Sequence, residues 1–230
     1  MFTARFWPQR CFSCGRELEK SDLLTVCRVC AGEIQPLGDE DVCRCCGRSL
    51  YGFHAEFCFD CAGKKFCFDS SRSLFSYKEP LIRELVSRFK FESNLPAGRD
   101  LAEIIKISLE NALLKAEADV MIITPVSRET LRKRGFNQTE WLIRKSGLNI
   151  PVENWMDRLS HSGHQSELGL QERREWIRGQ FVIKPEAEIK GKRILVFDDV
   201  LTTCSTADEI SHLLKSNGAA KVQLITFFCN

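Results

Sequence analysis

Residues 193–209 read Arg-Ile-Leu-Val-Phe-Asp-Asp-Val-Leu-Thr-Thr-Cys-Ser-Thr-Ala-Asp-Glu, and they concentrate groups that can do chemistry. An apolar run from Ile194 to Phe197 ends in two adjacent carboxylates, Asp198 and Asp199. Val200 and Leu201 follow, then the hydroxyl-rich turn Thr202-Thr203-Cys204-Ser205-Thr206 and an apparent helix start. The backbone N–H groups of such a turn, with the positive end of a helix dipole, hold a phosphate. Carboxylates at the carboxyl end of a strand accept hydrogen bonds from sugar hydroxyls or help to hold magnesium. Together they suit a phosphorylated sugar. Ser205 with Asp208 fits a capping box and predicts that the helix opens here.

Apolar strand, Asp-Asp, a spacer pair and Thr-Thr-x-Ser-Thr together resemble the 5-phosphoribosyl 1-pyrophosphate (PRPP) signature of type I phosphoribosyltransferases. That family usually carries glycine where Cys204 stands, at the closest backbone approach to the 5′-phosphate. Glycine tolerates the left-handed backbone and the close approach, so the substitution predicts a weakened phosphate cradle.

The second concentration of chemistry is sulfur. Ten of the twelve cysteines lie between Cys11 and Cys67. Eight form Cys-x-x-Cys knuckles: Cys11/Cys14, Cys27/Cys30, Cys43/Cys46 and Cys58/Cys61, with 12, 12 and 11 residues between successive knuckles. Two knuckles close one tetrahedral zinc site with four thiolates. Consecutive pairing is the simplest, Cys11, Cys14, Cys27 and Cys30 around one zinc and Cys43, Cys46, Cys58 and Cys61 around another; interleaved pairing stays open. Gly15 and Gly47, each directly after a knuckle, let backbone N–H groups turn toward the sulfurs. Cys45 and Cys67 fit no knuckle and read as spectators, and His54 as a surface histidine. A ribbon this small buries little apolar area, so the metal supplies folding energy. Nine Lys/Arg against ten Asp/Glu over residues 1–69 argue against a basic clamp in this module.

The elements that must position these groups follow from periodicity. The 230 residues are 43% apolar and 28% charged, ordinary for a globular protein. No apolar run reaches membrane-span length and the N-terminus makes a poor signal peptide, which predicts a cytoplasmic protein in whose reducing setting paired cysteines hold metal rather than form disulfides. A boundary near residue 69 separates a 1–69 double zinc-ribbon module from a 70–230 domain. In the latter, Ser73–Tyr77 reads as a strand. Pro80 opens a helix with Leu81, Ile82, Leu85, Val86 and Phe89 on one face. Residues 94–98 read as a loop and 101–116 as a helix, Val120–Ile123 as a strand, 138–146 as a helix, 193–200 as a strand, 205–216 as a helix and 221–228 as a strand. Strands alternating with helices predict an α/β fold, a parallel sheet with helices on both faces.

Ligands bind such sheets beyond the carboxyl ends of the strands, which brings Thr124, Pro125, Val126, Ser127 and Arg128 to the same edge as Asp198–Thr206. Residues 128–145 carry six Lys/Arg against two acids, a positive lobe suited to pyrophosphate or a nucleic-acid backbone, with Arg134 and Gln138 the expected contacts. Trp141, Trp155, Trp176 and Phe136 read as packing residues. His161 and His164 lack companions for a metal site.

The motifs taken in order are the cysteine knuckles, Arg88-Phe89-Lys90-Phe91, Pro125-Val126-Ser127-Arg128 and Arg134-Gly135-Phe136-Asn137-Gln138. Then come Gln165-Ser166-x-Leu168-Gly169-Leu170-x-x-Arg173-Arg174, Arg178-Gly179-x-Phe181 and Asp-Asp-Val-Leu-Thr-Thr. This series resembles the ComF (ComFC-like) family over nearly the whole chain. The resemblance implies a double zinc ribbon fused to a type I phosphoribosyltransferase-like domain and a part in DNA uptake during natural transformation. From the transferase family it implies that Thr124–Arg128 grip pyrophosphate; for 157–181 it implies a mobile cover for the ligand, while an ordinary exposed linker fits the same residues equally.

Three functions are in view. The chain binds magnesium–PRPP at Asp198, Asp199 and Thr202–Thr206 and acts in DNA uptake, through single-stranded DNA held at Arg132, Lys133 and Arg134. Alternatively, it is a glycosyltransferase moving ribose 5-phosphate from PRPP to an unidentified acceptor, by positioning and electrostatics rather than a covalent nucleophile. Or it is a non-catalytic scaffold whose zinc module docks a DNA-uptake helicase or another competence protein.

Overall fold

The computed structural model describes residues 9–38, 40, 42–50, 52, 55–159 and 177–230. The readings above that concern His54, His161, His164, Trp176 and the Gln165–Arg174 motif lie outside them.

Four parallel strands form the sheet: β1 (Ser70–Ser76), β2 (Val120–Ile123), β5 (Arg193–Leu201) and β6 (Lys221–Cys229), in the spatial order β1-β6-β5-β2. All of its pairings are parallel, with Phe197 opposite both Ile123 and Ile225. The central strands β5 and β6 are apolar on both faces, as burial on both sides requires. The Leu195 and Phe197 side chains enter one core, and those of Ile194 and Val196 the other. The first core is closed by α2 (Pro80–Phe91), α3 (Leu95–Lys115) and α5 (Gln138–Lys145), the second by α6 (Ser205–Ser216). The expected α/β architecture, a parallel sheet with helices on both faces, is the one observed.

The 94–98 loop is not. Only Asn94 stands outside the helix, its side chain accepting from the Ala97 N–H at 3.0 Å, and α3 begins at Leu95. Pro96 sits in the first turn, where its missing N–H costs nothing. Gly98 serves close packing instead of a turn: a Cβ there would lie 2.6 Å from the Phe89 ring and 2.8 Å from Trp141. The basic stretch after β2 is also helical, as α4 (Arg128–Arg134), opened by Ser127 and closed by Gly135 at φ 81°. The capping box does not form. Cys204 is the residue before α6, at φ 62°, with no side-chain cap bond. Asp208 instead accepts from the Cys67 N–H at 2.7 Å. Two short strands escaped the periodicity, β3 (Met156–Arg158) and β4 (Phe181–Ile183), paired antiparallel beyond the β2 edge.

The two cysteine-rich ribbons pack on opposite sides of the sheet. The first, with the short helix α1 (Arg28–Gly32), joins the core of α2 and α3 through Val26, Cys30 and Ile34. Asp100, buried on α3, receives the N–H groups of Leu24 at 2.8 Å and Thr25 at 2.7 Å. Leu37 N–H bonds Leu74 O at 2.8 Å as the chain passes β1. The second ribbon joins the core of α6, with Leu50 and Phe68 beside Ile194, Val222 and Leu224.

Candidate functional site

The first knuckle turn of each ribbon is built alike. Cys11 and Cys43 open turns closed by Gly15 at φ 74° and Gly47 at φ 69°, whose N–H groups return to the carbonyls of Cys11 and Cys43. Isolated antiparallel bridges Arg10–Glu17 and Val42–Ser49 hold the two hairpins. The eight cysteines gather as Cys11, Cys14, Cys27, Cys30 and Cys43, Cys46, Cys58, Cys61, the sulfurs of each group within 4.8 Å of one another. Consecutive pairing is therefore the arrangement. Tetrahedral zinc with bonds of about 2.3 Å separates its sulfurs by about 3.8 Å. Cys14 and Cys27 sulfurs stand 3.8 Å apart, and Cys46 and Cys58 sulfurs 3.7 Å. The donor sets fit zinc without rearrangement.

A zinc ion with four thiolates carries excess negative charge, and each ribbon places an arginine against it. Arg16, after Gly15, has its guanidinium held in the charged form by Cys27 and pairs with Asp22 at 2.8 Å. Arg48, after Gly47, faces Cys46 and Cys58 and pairs with Asp60 at 2.6 Å. The repeated Cys-x-x-Cys-Gly-Arg string was visible in the sequence, though its arginines went unread.

The second constellation lies at the carboxyl edge of β2 and β5. Thr124 N–H bonds Phe197 O at 2.8 Å, extending the ladder by one step and seating Thr124 beside the Asp198 turn. Asn137, at the start of α5, ties the Thr124 carbonyl at 3.0 Å. Ser127 Oγ accepts from Thr130 N–H at 3.1 Å and so is engaged as a helix cap. Pro125, Val126 and Arg128 line a cleft of about 610 Å³ with Asn137, Glu153, Asp157 and Arg158. Asp198 and Val200 through Ala207 line a separate small concavity at the mouth of α6. Within it Thr203 Oγ1 and Ser205 Oγ are 2.9 Å apart, Thr202 is exposed, and Thr206 is half-buried.

The two carboxylates differ sharply. Asp199 is buried, and its Oδ2 lies 2.8 Å from the ammonium of Lys90, itself largely enclosed at the end of α2. Burial alone would push the Asp199 carboxyl up, but Lys90 and the amide of Gln138 hold it below the ordinary range. Asp198 accepts from the Asp199 N–H at 2.8 Å. Desolvation, with the Asp199 charge beside it, raises the Asp198 carboxyl to about 7 against the opposing pull of Lys90 and Arg158. The pair is thus one ionised and one poised group. Asp198 accordingly binds more protons folded than unfolded between about pH 4 and 7. Its contribution is full below the unfolded value and is lost as pH rises through about 7. Asp198→Asn, which keeps the oxygen that Asp199 N–H needs, should be more stable than the parent above pH 7 and no more stable at pH 4. Urea titrations at the two pH values read the difference.

Of the residues singled out in sequence, Gln138 turns onto Asp199, with its Oε1 buried and unbonded among the described residues. Arg134 lies over the exposed ring of Phe91 at 5.7 Å. Lys90 and Arg158 were missed as members of the site. Lys90 stood inside a quoted motif with nothing local to reveal its partner, and Arg158 lies on a strand that the pattern did not show. Among the described residues, no helix is long and apolar enough to cross a membrane.

Residues 2–62 match the family model described as double zinc ribbon domain. The whole chain is similar to Competence protein F of Haemophilus influenzae, 27% identical over 95% of this chain and 96% of that protein. It is similar to Competence protein ComFC of Streptococcus pneumoniae at 26%, over 93% and 97%, and to DNA utilization protein YhgH of Escherichia coli K12 at 25%, over 86% and 88%. Among solved structures it is similar to a hypoxanthine phosphoribosyltransferase of Staphylococcus aureus, 18% identical with TM-score 0.38 over 57% of this chain and 65% of that one. It is also similar to an allosteric regulatory enzyme of purine biosynthesis, 22% identical with TM-score 0.35 over 56% of this chain and 25% of that one. The resemblance to ComF-type proteins thus runs over nearly the whole chain, zinc ribbons included.

Proposed function

We propose that this chain is a cytoplasmic, zinc-containing PRPP-binding protein of DNA uptake. It would hold magnesium–PRPP across the loops that follow β2 and β5. The observation that carries the reading is the turn at Cys204: a left-handed residue between a carboxylate pair and a helix start, lining a concavity with Thr202, Thr203, Ser205 and Thr206. Such a turn directs successive backbone N–H groups into one concave anion site. Sequence reading expected Cys204 to weaken the cradle. The side chain does take the positive φ that glycine takes freely, so the turn is formed at a cost in strain. The 5′-phosphate would lie there, with Asp198 taking ribose hydroxyls or magnesium and Thr124–Arg128 beside the pyrophosphate. A cation or hydroxyl donor at Asp198 offsets the desolvation, and the Asp199 charge, that raise its carboxyl. When bound, magnesium would supply charge neutralisation for the pyrophosphate; the chain itself orients and desolvates. Any transfer to an acceptor would rest on positioning. The division into a ribbon part, 1–69, and a PRPP-binding part, 70–230, belongs to the same reading, as does the DNA-uptake role, which the names of the competence relatives support.

Binding to Asp198→Asn tests the site with little risk to the fold. Loss of one charged hydrogen-bond acceptor costs about 1.5–3 kcal/mol, or roughly 10–100-fold in affinity. Calorimetry should show PRPP affinity falling by that factor; parent-like affinity would remove Asp198 from the site. The double change with Asp199→Asn is less informative, because it strips buried Lys90 of its counter-charge.

A second reading has its own support. Arg132 and Lys133 are exposed on α4, and Phe91, exposed next to Arg134, offers a stacking face. Single-stranded DNA would track this lobe by charge and stacking. Neutralising Arg132 and Lys133 to glutamine should lower affinity for a single-stranded oligonucleotide and reduce its salt dependence. Unchanged salt dependence in a fluorescence-anisotropy titration would set the lobe aside.

A further inference from the structure

Two cations from different elements line the larger cleft, Arg128 at the start of α4 and Arg158 on β3. Arg158 is held in place. Its Nε and Nη2 donate to Gln180 Oε1 at 3.2 and 3.0 Å, and its guanidinium lies 5.4 Å from the centre of the Phe181 ring. Gln180 is 1% exposed. Arg158 pairs with Phe181 across the two strands, and Leu159 N–H bonds Gln180 O at 2.7 Å, which fixes their register. A neutral amide orients the guanidinium without cancelling its charge, unlike the carboxylates that pair with Arg16 and Arg48. Burial also pushes the guanidinium down from its ordinary value, so it gains more from an anion than a solvated arginine would.

Cleft and cradle are neighbours. The ladder step from Thr124 N–H to Phe197 O joins two parallel strands. The next residue on one is Pro125, which lines the cleft, and on the other Asp198, which lines the cradle. A sugar seated at Asp198 with its 5′-phosphate at the α6 turn would therefore turn its second phosphorylated end to the cleft.

We infer that Arg158 is a further ligand-contacting residue, holding the pyrophosphate end of PRPP from β3, and that Gln180 is its positioning residue. The inference rests on the PRPP reading above and adds to it a second grip on the pyrophosphate, opposite in origin to the loop after β2. A guanidinium suits the task, since its planar fork matches phosphate oxygens two at a time. The cleft also carries the exposed carboxylates Glu140, Glu153 and Asp157, the last paired with Lys184 at 3.6 Å. Bare pyrophosphate would be repelled by them. Pyrophosphate that carries magnesium meets both sets, the metal taking oxygen ligands and the phosphates the guanidinium.

Calorimetric titration of the full chain in magnesium separates the two ends of the ligand: ribose 5-phosphate probes the cradle and inorganic pyrophosphate the cleft. Arg158→Gln should lower affinity for PRPP and for pyrophosphate by about 10–100-fold, the effect of losing a charged hydrogen bond, and leave that for ribose 5-phosphate unchanged. Arg158→Lys keeps the charge but not the fork, and should recover only part of the loss. Gln180→Glu keeps an oxygen on the guanidinium while cancelling its charge, and should reproduce the selective loss. Parent-like PRPP affinity in Arg158→Gln would overturn the inference and leave the function proposed above standing. An equal loss for all three ligands would also overturn it, by showing that the change deforms the whole edge. Parent-like PRPP affinity in Gln180→Glu would remove Gln180 as the positioning residue. An unaltered protein that does not bind PRPP would overturn the proposed function, and this inference with it.

Discussion

Serine at Cys27 and Cys30 should leave the chain unfolded at 25 °C, and not merely missing an ornament. The first ribbon is part of the core: Val26 and Cys27 are fully buried, and Asp100 on α3 receives two of the ribbon's backbone N–H groups. Structural zinc in small ribbons contributes about 10–16 kcal/mol of apparent binding energy that is also folding energy. Whole domains are stable by only about 5–15 kcal/mol. Losing the metal therefore removes an amount comparable to the whole stability, and it exposes the apolar surface of α2 and α3 as well. Circular dichroism should show loss of the helical signal with zinc content falling by at least one ion per chain. A variant that melts like the parent would show that the ribbon sits outside the cooperative unit.

Lys90→Met should be the most damaging single change away from the cysteines. The ammonium and the Asp199 carboxylate are 2.8 Å apart and both largely enclosed. Removing one partner of a buried pair leaves an unpaired charge at a cost of about 3–5 kcal/mol. The pH dependence identifies the cause. With Lys90 present, the Asp199 carboxyl is held below its unfolded value, so its contribution is present above that value and is lost as pH falls through the folded one. Without Lys90, burial raises the carboxyl instead, and protonation relieves the unpaired charge. The gap between parent and variant should therefore be widest near pH 7 and narrow on acidification through the carboxylate range. A gap independent of pH would assign the loss to packing of the lysine stem. PRPP binding should fall too, since Asp199 adjoins Asp198, which lines the cradle.

The parts of the fold legible in the sequence were those carried by local pattern. Knuckle spacing announced two ribbons, and the apolar runs at Val120–Ile123 and Ile194–Phe197 announced strands that lie where expected. Failures share a cause: the deciding contact was remote. Gly98 read as a loop glycine because its reason for being small is the Phe89 and Trp141 rings that press on it. Three-residue strands such as β3 and β4 are too short for a period, and they exist through pairing with each other. Ser205 and Asp208 matched a capping box by spacing, yet Asp208 is claimed by Cys67, far away in sequence.

The candidate site divides in the same way. Asp198, Asp199 and the Thr-Thr turn stood out because phosphate cradles demand a compact string. Lys90 did not, since its role comes from a carboxylate on a different element. The cysteine that reads as a defect in the phosphate turn is, in three dimensions, buried in the same core as the second ribbon's cysteines.

The central claim is that the cradle takes magnesium–PRPP, and calorimetric titration of the zinc-replete protein with PRPP, with and without magnesium, tests it most directly. The account expects saturable binding in the micromolar range that weakens markedly when magnesium is withheld. Absence of binding in both conditions, from protein that retains two zinc ions per chain, would contradict it.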